Sequence, residues 1–255
     1  MDTRDSLKIV LEFYKELGFE RLPLSMECWG DGVMGESKGL SNTPILQHPN
    51  LPPQVSGYDK ASALEALREE IGDCRRCKLS KERTHIVFGE GNADARIMFI
   101  GEAPGREEDL QARPFVGDAG QILTSLINNM GKASGLNFKR EDVYIANIVK
   151  CRPPMNRDPQ DDEMAACLPF LERQIEIISP KVIMALGKVS AYTLLGIKGP
   201  MSKFSINKAR GKFFEYRGIP VMPTFHPAYF LRNPKDKPLT WADAQAVLKK
   251  LKGEE

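Results

Sequence analysis

Four cysteines and one histidine carry the most distinctive chemistry in this chain of 255 residues. Cys74 and Cys77 form a C-x2-C pair in Cys74-Arg75-Arg76-Cys77, Cys151 follows after 73 intervening residues, and Cys167 follows after 15 more. Four thiolates arranged as two pairs can enclose a tetrahedral zinc ion or a [4Fe–4S] cluster, and spacing alone does not separate the two. Buried, inert cysteines are the plainer alternative, because free Cys is among the most buried residue types. A second, distant pair counts against coincidence. Cys28 lies in a linker-like stretch and reads as a bystander. Cys167 precedes Pro169, which suggests the start of a second helical piece, where a helix N-terminus favours a thiolate.

The other candidates stand immediately after short apolar runs. Arg96-Ile97-Met98-Phe99-Ile100 leads into Gly101-Glu102-Ala103-Pro104-Gly105-Arg106-Glu107-Glu108-Asp109 and then Arg113-Pro114-Phe115-Val116-Gly117. This is neither a G-x-G-x-x-G dinucleotide turn nor a phosphate loop, and Gly187-Lys188-Val189 lacks the hydroxyl that would hold magnesium. The first turn offers close backbone approach at Gly101 and Gly105, a carboxylate, and an aromatic ring, Phe115, able to stack on a flat group. Taken alone, Phe115 reads equally well as core. Val143-Tyr144-Ile145-Ala146 leads into Asn147-Ile148-Val149-Lys150-Cys151-Arg152-Pro153-Pro154, where Asn147 can show a base edge both a donor and an acceptor, or serve as a cap. Val221-Met222-Pro223-Thr224 leads into Phe225-His226-Pro227-Ala228-Tyr229-Phe230-Leu231-Arg232. Of the three histidines only His226 falls at a strand end, since His48 lies in the linker and His85 precedes an expected edge segment.

These loops need a frame that aims them together. The run Val182-Ile183-Met184-Ala185-Leu186 shows no alternation, as a strand buried on both faces should not. With the runs ending at residues 100, 146 and 224 it gives four strands, separated by helices over residues 118–130, from 158 with a break near Cys167 before Pro169, through 194–195, and over 240–252. Strands alternating with helices predict a three-layer α/β/α domain around a central, mostly parallel four-stranded sheet, whose strand-end loops hold the site. Residues 203–218 read as a basic loop with a small hairpin. Residues 1–57 read as an appendage: a helix over 6–17, then a Pro-, Gly- and Ser-rich linker or arm, with the main domain spanning 58–255.

Composition narrows the function classes. Mean hydropathy is −0.34 and no run approaches the roughly 18 apolar residues of a membrane span. The start Met1-Asp2-Thr3-Arg4-Asp5 lacks a secretory profile, so the chain reads as intracellular and cytoplasmic. Residues 181–255 hold 14 Lys and Arg against 5 Asp and Glu in a chain whose net charge is +2, which suggests one face built for a polyanion or, more plainly, a solvated basic surface.

The segments Gly101–Gly105, Arg113–Gly117, Asn147–Pro154 and His226–Tyr229, in this order and on these elements, together closely resemble family 4 uracil-DNA glycosylases over about residues 70–252. Gln111-Ala112 stand where that family usually has a glycine, a local change in the loop. The resemblance implies a uracil-DNA-glycosylase-like fold and a [4Fe–4S] cluster on Cys74, Cys77, Cys151 and Cys167. It also implies a monomer that flips uracil out of single- or double-stranded DNA and hydrolyses its N-glycosidic bond, with no membrane partner. By the same resemblance Phe115 stacks on the base, Asn147 bonds its polar edge, and His226 donates to uracil O2. Glu102 is the available carboxylate, because Ala103 holds the place of the water-positioning Asp of other families. Gly101, Ala103, Gly105 and Glu108 line the base site, with Glu108 helping to exclude a thymine methyl. Pro227, Phe230, Leu231 and Arg232 form a wedge and phosphate contact. A crosslinking branch carries a basic insertion with a reactive His where Pro153–Arg157 stand here, so covalent capture of DNA is not expected. An iron–sulfur electron carrier and a nucleic-acid-binding accessory module without glycosylase activity are the rival readings.

Overall fold

The computed structural model describes residues 59–253, so the expected N-terminal helix and arm lie outside the described residues. Asp59 caps α1 (Lys60–Ile71), its carboxylate accepting from the Ala61 and Ser62 amides. β1 (Glu90–Gly91), β2 (Ile97–Gly101), α2 (Arg106–Gln111), α3 (Asp118–Ser134) and β3 (Tyr144–Asn147) follow. The order continues with α4 (Asp161–Ile178), β4 (Val182–Leu186), α5 (Lys188–Leu194), α6 (Ile206–Ala209) and β5 (Phe214–Tyr216). It ends with β6 (Ile219–Thr224), α7 (Tyr229–Arg232) and α8 (Lys237–Lys252).

The strands form one sheet in the order β1-β3-β2-β4-β6-β5. Its centre is the expected parallel set, β3, β2, β4 and β6. Among the described residues the sheet has six strands rather than four, because β1 and β5 pair antiparallel on its two edges. At two and three residues, these edges are too short to show a period-2 pattern.

β2 and β4 are buried along their whole length, as their unbroken apolar runs require. Met98, Ile100, Ala146, Ile183 and Ala185 share one core with Leu67 of α1, Leu171 and Ile175 of α4, and Val189 of α5. Strand alternation turns Phe99, Ile145 and Met184 to the opposite face. Helices α3 and α8 pack on each other, and α8 packs on β6. This is the three-layer arrangement.

The expected helix break near Cys167 does not occur. α4 runs unbroken through Pro169, opened by the Gln160 amide donating to Glu163. The proline removes one ladder bond, and the loss is outweighed by the buried face that Phe170, Leu171, Gln174, Ile175 and Ile178 form on one continuous helix. Cys167 therefore lies within α4 and not at a helix N-terminus.

Register sets the function-bearing loops level with one another. Gly101 pairs with Asn147, Ile100 with Ala185, and Leu186 with Thr224, so the four parallel strands end along one rim. Among the described residues no helix is long and apolar enough to cross a membrane.

Candidate active site

Gly101 ends β2 beside Asn147, and its missing side chain makes the site possible. A Cβ there would lie 2.5 Å from Phe115 Cζ and would collide with Asn147 Oδ1. The ring of Phe115 in turn lies 5.5 Å from that of His226, the planes inclined by 33°. Three loops thus bring Phe115, Asn147 and His226 around one point at the strand ends.

Each of the three is held in a defined state. Phe115 has a left-handed backbone, φ 50°, which a non-glycine residue adopts only when its surroundings force it. Arg140 Nη2 donates to the Pro114 carbonyl at 2.6 Å, and Glu108 Oε1 accepts from the Val116 and Gly117 amides at 2.9 and 3.0 Å. Gly120 of α3 packs so closely on the Phe115 carbonyl that no Cβ could fit. Glu90 ties this loop down further by pairing with both Arg113 and Arg140. Through these two bonds Glu108, expected to face the thymine methyl, orders the loop under Phe115.

Asn147 is 1 % exposed, and its Oδ1 has no hydrogen-bond partner among the described residues. A buried acceptor left unpaired costs about 1–3 kcal/mol, so it marks a place where a ligand donor is expected. Its own carbonyl accepts from Lys150 Nζ at 3.0 Å, and that buried ammonium also donates to Gln174 Oε1 at 2.5 Å.

His226 emerges after β6 against Gly187, whose φ of 95° and absent Cβ leave room for the histidine Cβ. The Ala228 amide donates to His226 Nδ1 at 3.2 Å. That bond requires Nδ1 to be unprotonated, so the neutral ring carries its proton on Nε2. Burial pushes the imidazole pKa down to about 4, against the opposing pull of the Glu108 charge. A neutral Nε2–H donor is the result. Beneath it Thr224 Oγ1 donates to Asp243 at 2.6 Å, and Arg210 Nη2 pairs with the same carboxylate at 2.7 Å.

Glu102 is half-buried, and its carboxyl is raised to about 7 by burial first and the nearby Asp158 charge second. Ala103 and Gly105 are half-buried in the same turn. Of the expected DNA contacts, Leu231 is 53 % exposed and Arg232 is exposed. Phe230 does not belong with them: it is 4 % exposed and packs edge-on against Phe225 and Tyr229, and Pro227 is buried too. The short helix α7 points Phe230 inward, and Pro227 is buried in the turn before it.

A second pocket is lined by Cys74, Cys77, Cys151 and Cys167 together with Ile71, Ile86 and Phe170. Among the described residues no three His, Cys, Asp or Glu side chains converge on a single metal ion. Four thiols lining one pocket are a donor set that fits a [4Fe–4S] cluster or a tetrahedral zinc ion. N–H groups surround the sulfurs: Arg76 Nη1 stands 3.2 Å from Cys74 Sγ, Arg83 Nη1 3.6 Å from Cys151 Sγ, and the Lys150 amide 3.3 Å from Cys167 Sγ. Such donors suit an anionic cluster.

The family model of the uracil DNA glycosylase superfamily matches residues 88–252. The chain belongs to this superfamily. Type-4 uracil-DNA glycosylase from Saccharolobus solfataricus is 48% identical over 188 residues, which cover 72% of this chain and 84% of that one. The type-4 enzyme of Thermotoga maritima is 49% identical over 177 residues (69% and 87%), and that of Sulfurisphaera tokodaii 45% over 189 residues (72% and 83%).

Several residues that support this site are not singled out by the sequence for that role. Gly187 was read only against a phosphate loop, though a glycine directly after a buried strand signals close approach. Asp243 carried a readable signal, an acid on the apolar face of the last helix beside Trp241, Ala244 and Val247. Arg140 and Lys150 carried none, because their roles depend on contacts distant in sequence.

Proposed function

We propose that this chain is a monofunctional uracil-DNA glycosylase of the type-4 kind. It takes uracil flipped out of DNA and hydrolyses the N-glycosidic bond, leaving free uracil and an abasic site. The observation that carries this reading is the convergence of Phe115, Asn147 with its unpaired Oδ1, and His226 with its free Nε2–H around Gly101.

The base stacks on Phe115. Asn147 Oδ1 accepts from uracil N3–H, an edge that cytosine presents without a proton. As the bond to the sugar stretches, negative charge gathers on the pyrimidine, and His226 Nε2–H donates to O2. A neutral donor aimed beforehand strengthens in the transition state without giving up its proton. Glu102, with a carboxyl near neutrality, takes a proton from the water that attacks the sugar. Leu231 fills the space the base leaves, and Arg232 contacts phosphate.

The four cysteines are the ligands of a [4Fe–4S] cluster, supported by the pocket they share and the donors around it. When bound, the cluster supplies a structural cross-link between the segment before β1 and the segment from β3 to α4. Its ligands fix Cys151, four residues from Asn147, and Cys167 of α4. Residues 1–57 form a separate appendage to the glycosylase domain, and the chain works as a cytoplasmic monomer.

A uracil-release assay on single- and double-stranded oligonucleotides tests the reading. The wild type releases uracil, and His226→Ala lowers kcat by about 10²–10³ while DNA binding persists. Absence of release by the wild type would leave the accessory-module reading in its place.

A further inference from the structure

Apart from Arg210, the basic segment that leads into β5 has no role in the site described above, yet Lys208 and residues 211–215 are exposed and carry an uncommon combination of side chains. Residues 211–215, Gly211-Lys212-Phe213-Phe214-Glu215, are all exposed, with Phe213 at 38 % and Phe214 at 37 %. Lys208 and Lys212 form no ion pair among the described residues, unlike Arg210 and Arg217 beside them. Two adjacent exposed aromatic rings thus follow two lysines without ion pairs, a cationic and aromatic surface at the sheet edge.

Topology says where the segment points. β5 runs antiparallel to β6, with Phe214 opposite Val221, so Lys212 and Phe213 are carried toward the carboxyl end of β6, where His226 emerges. The segment is fixed there. Arg210 pairs with Asp243, donates to the Leu239 carbonyl and lies 5.6 Å over the ring of Phe225, next to His226 in sequence. A Cβ on Gly211 would stand 3.5 Å from the same Asp243 carboxylate that holds Thr224.

We infer that Lys208, Lys212, Phe213 and Phe214 form a platform for the single-stranded flank of the DNA that enters the pocket, the lysines pairing with phosphates and Phe213 stacking on an unpaired base. The chemistry matches what such surfaces use: a cationic track with aromatic faces on which any base can stack. Single-stranded DNA is favoured over duplex because paired bases offer no free face to a side chain at a sheet edge. Charge complementarity favours nucleic acid over a protein partner, since this third of the sequence carries the excess of lysine and arginine. The inference rests on the glycosylase reading for its substrate.

Uracil-containing single strands of about 5 and about 25 nucleotides separate the platform from the pocket, because the short strand occupies the pocket alone. Lys212→Ala with Phe213→Ala raises KM on the long strand about tenfold, leaves kcat unchanged, and leaves both constants on the short strand unchanged. The dependence of long-strand affinity on salt becomes shallower. Thermal melting of the variant at the wild-type temperature shows that the hairpin is intact, and if the pair of changes unfolds it, Lys212→Glu alone gives the same long-strand defect. An unchanged KM on the long strand, or an equal rise on both lengths, overturns the inference. Anisotropy with an unmodified 25-nucleotide strand keeps the two failures apart: a wild type that binds the strand through Lys212 and Phe213 but releases no uracil defeats the glycosylase reading and not the platform.

Discussion

The base pocket and the cysteine pocket share the segment from Asn147 to Cys151, yet they are built on opposite terms. In the first, polar groups wait for a partner: among the described residues Asn147 Oδ1 is buried and unpaired, and His226 accepts at Nδ1 but has no partner at Nε2. In the second, the sulfurs already have neighbours, with Arg76, Arg83 and the Lys150 amide beside Cys74, Cys151 and Cys167. Burial pushes the Cys151 thiol up to about 12, against the opposing pull of the Arg83 charge. The difference separates a site organised for turnover from one organised for permanence. Stability is given up where a ligand must enter and leave, and recovered where nothing should move.

Three changes probe that division, beginning with the largest effect. Gly101→Ala places a methyl against the Phe115 ring and the Asn147 amide without backbone strain, because Gly101 has no left-handed φ. It should lower kcat by about 10²-fold, the scale of an ångström of misplacement, while the iron content stays that of the wild type. Retained activity would mean that the contact around Gly101 does not define the pocket.

Cys77→Ser acts on the other side of the comparison. The protein should lose its visible absorbance and melt about 10 °C lower, the size of a several-kcal/mol loss in a chain of this length. A colourless, zinc-bearing wild type would remove the cluster and, with it, the contrast between the pockets.

The smallest effect is in pH. Burial and Asp158 raise the Glu102 carboxyl to about 7, so its ionised form is lost as pH falls through that value. If that form takes the water proton, kcat/KM falls about tenfold from pH 8 to pH 6, and Glu102→Gln abolishes the slope. His226 adds nothing in this range, since its ring stays neutral down to about 4. A slope that survives in Glu102→Gln would assign the titration to another group.

Residue types at strand ends made much of this architecture legible in advance. The unbroken apolar runs identified the four central strands; Asn147 and His226 stand at the ends of two of them, and Phe115 in the connection that follows a third. Two kinds of feature stayed out of reach. Pro169 looked like a helix breaker because local propensity cannot weigh the long buried face that keeps α4 whole. Phe230 looked like a wedge because an aromatic in an exposed motif carries no sign of which way a four-residue helix will turn it. Glu108 gave the right neighbourhood and a different task, because its bonds to the Val116 and Gly117 amides depend on a loop conformation that no periodicity reports.

One residue belongs to both pockets. The Lys150 amide faces Cys167, while its ammonium bridges the Asn147 carbonyl and Gln174, so both tethers end on α4. A displacement of α4 would therefore be felt at Asn147 and at Cys167 together, so the spacing between the two pockets is held by a single side chain and its own amide.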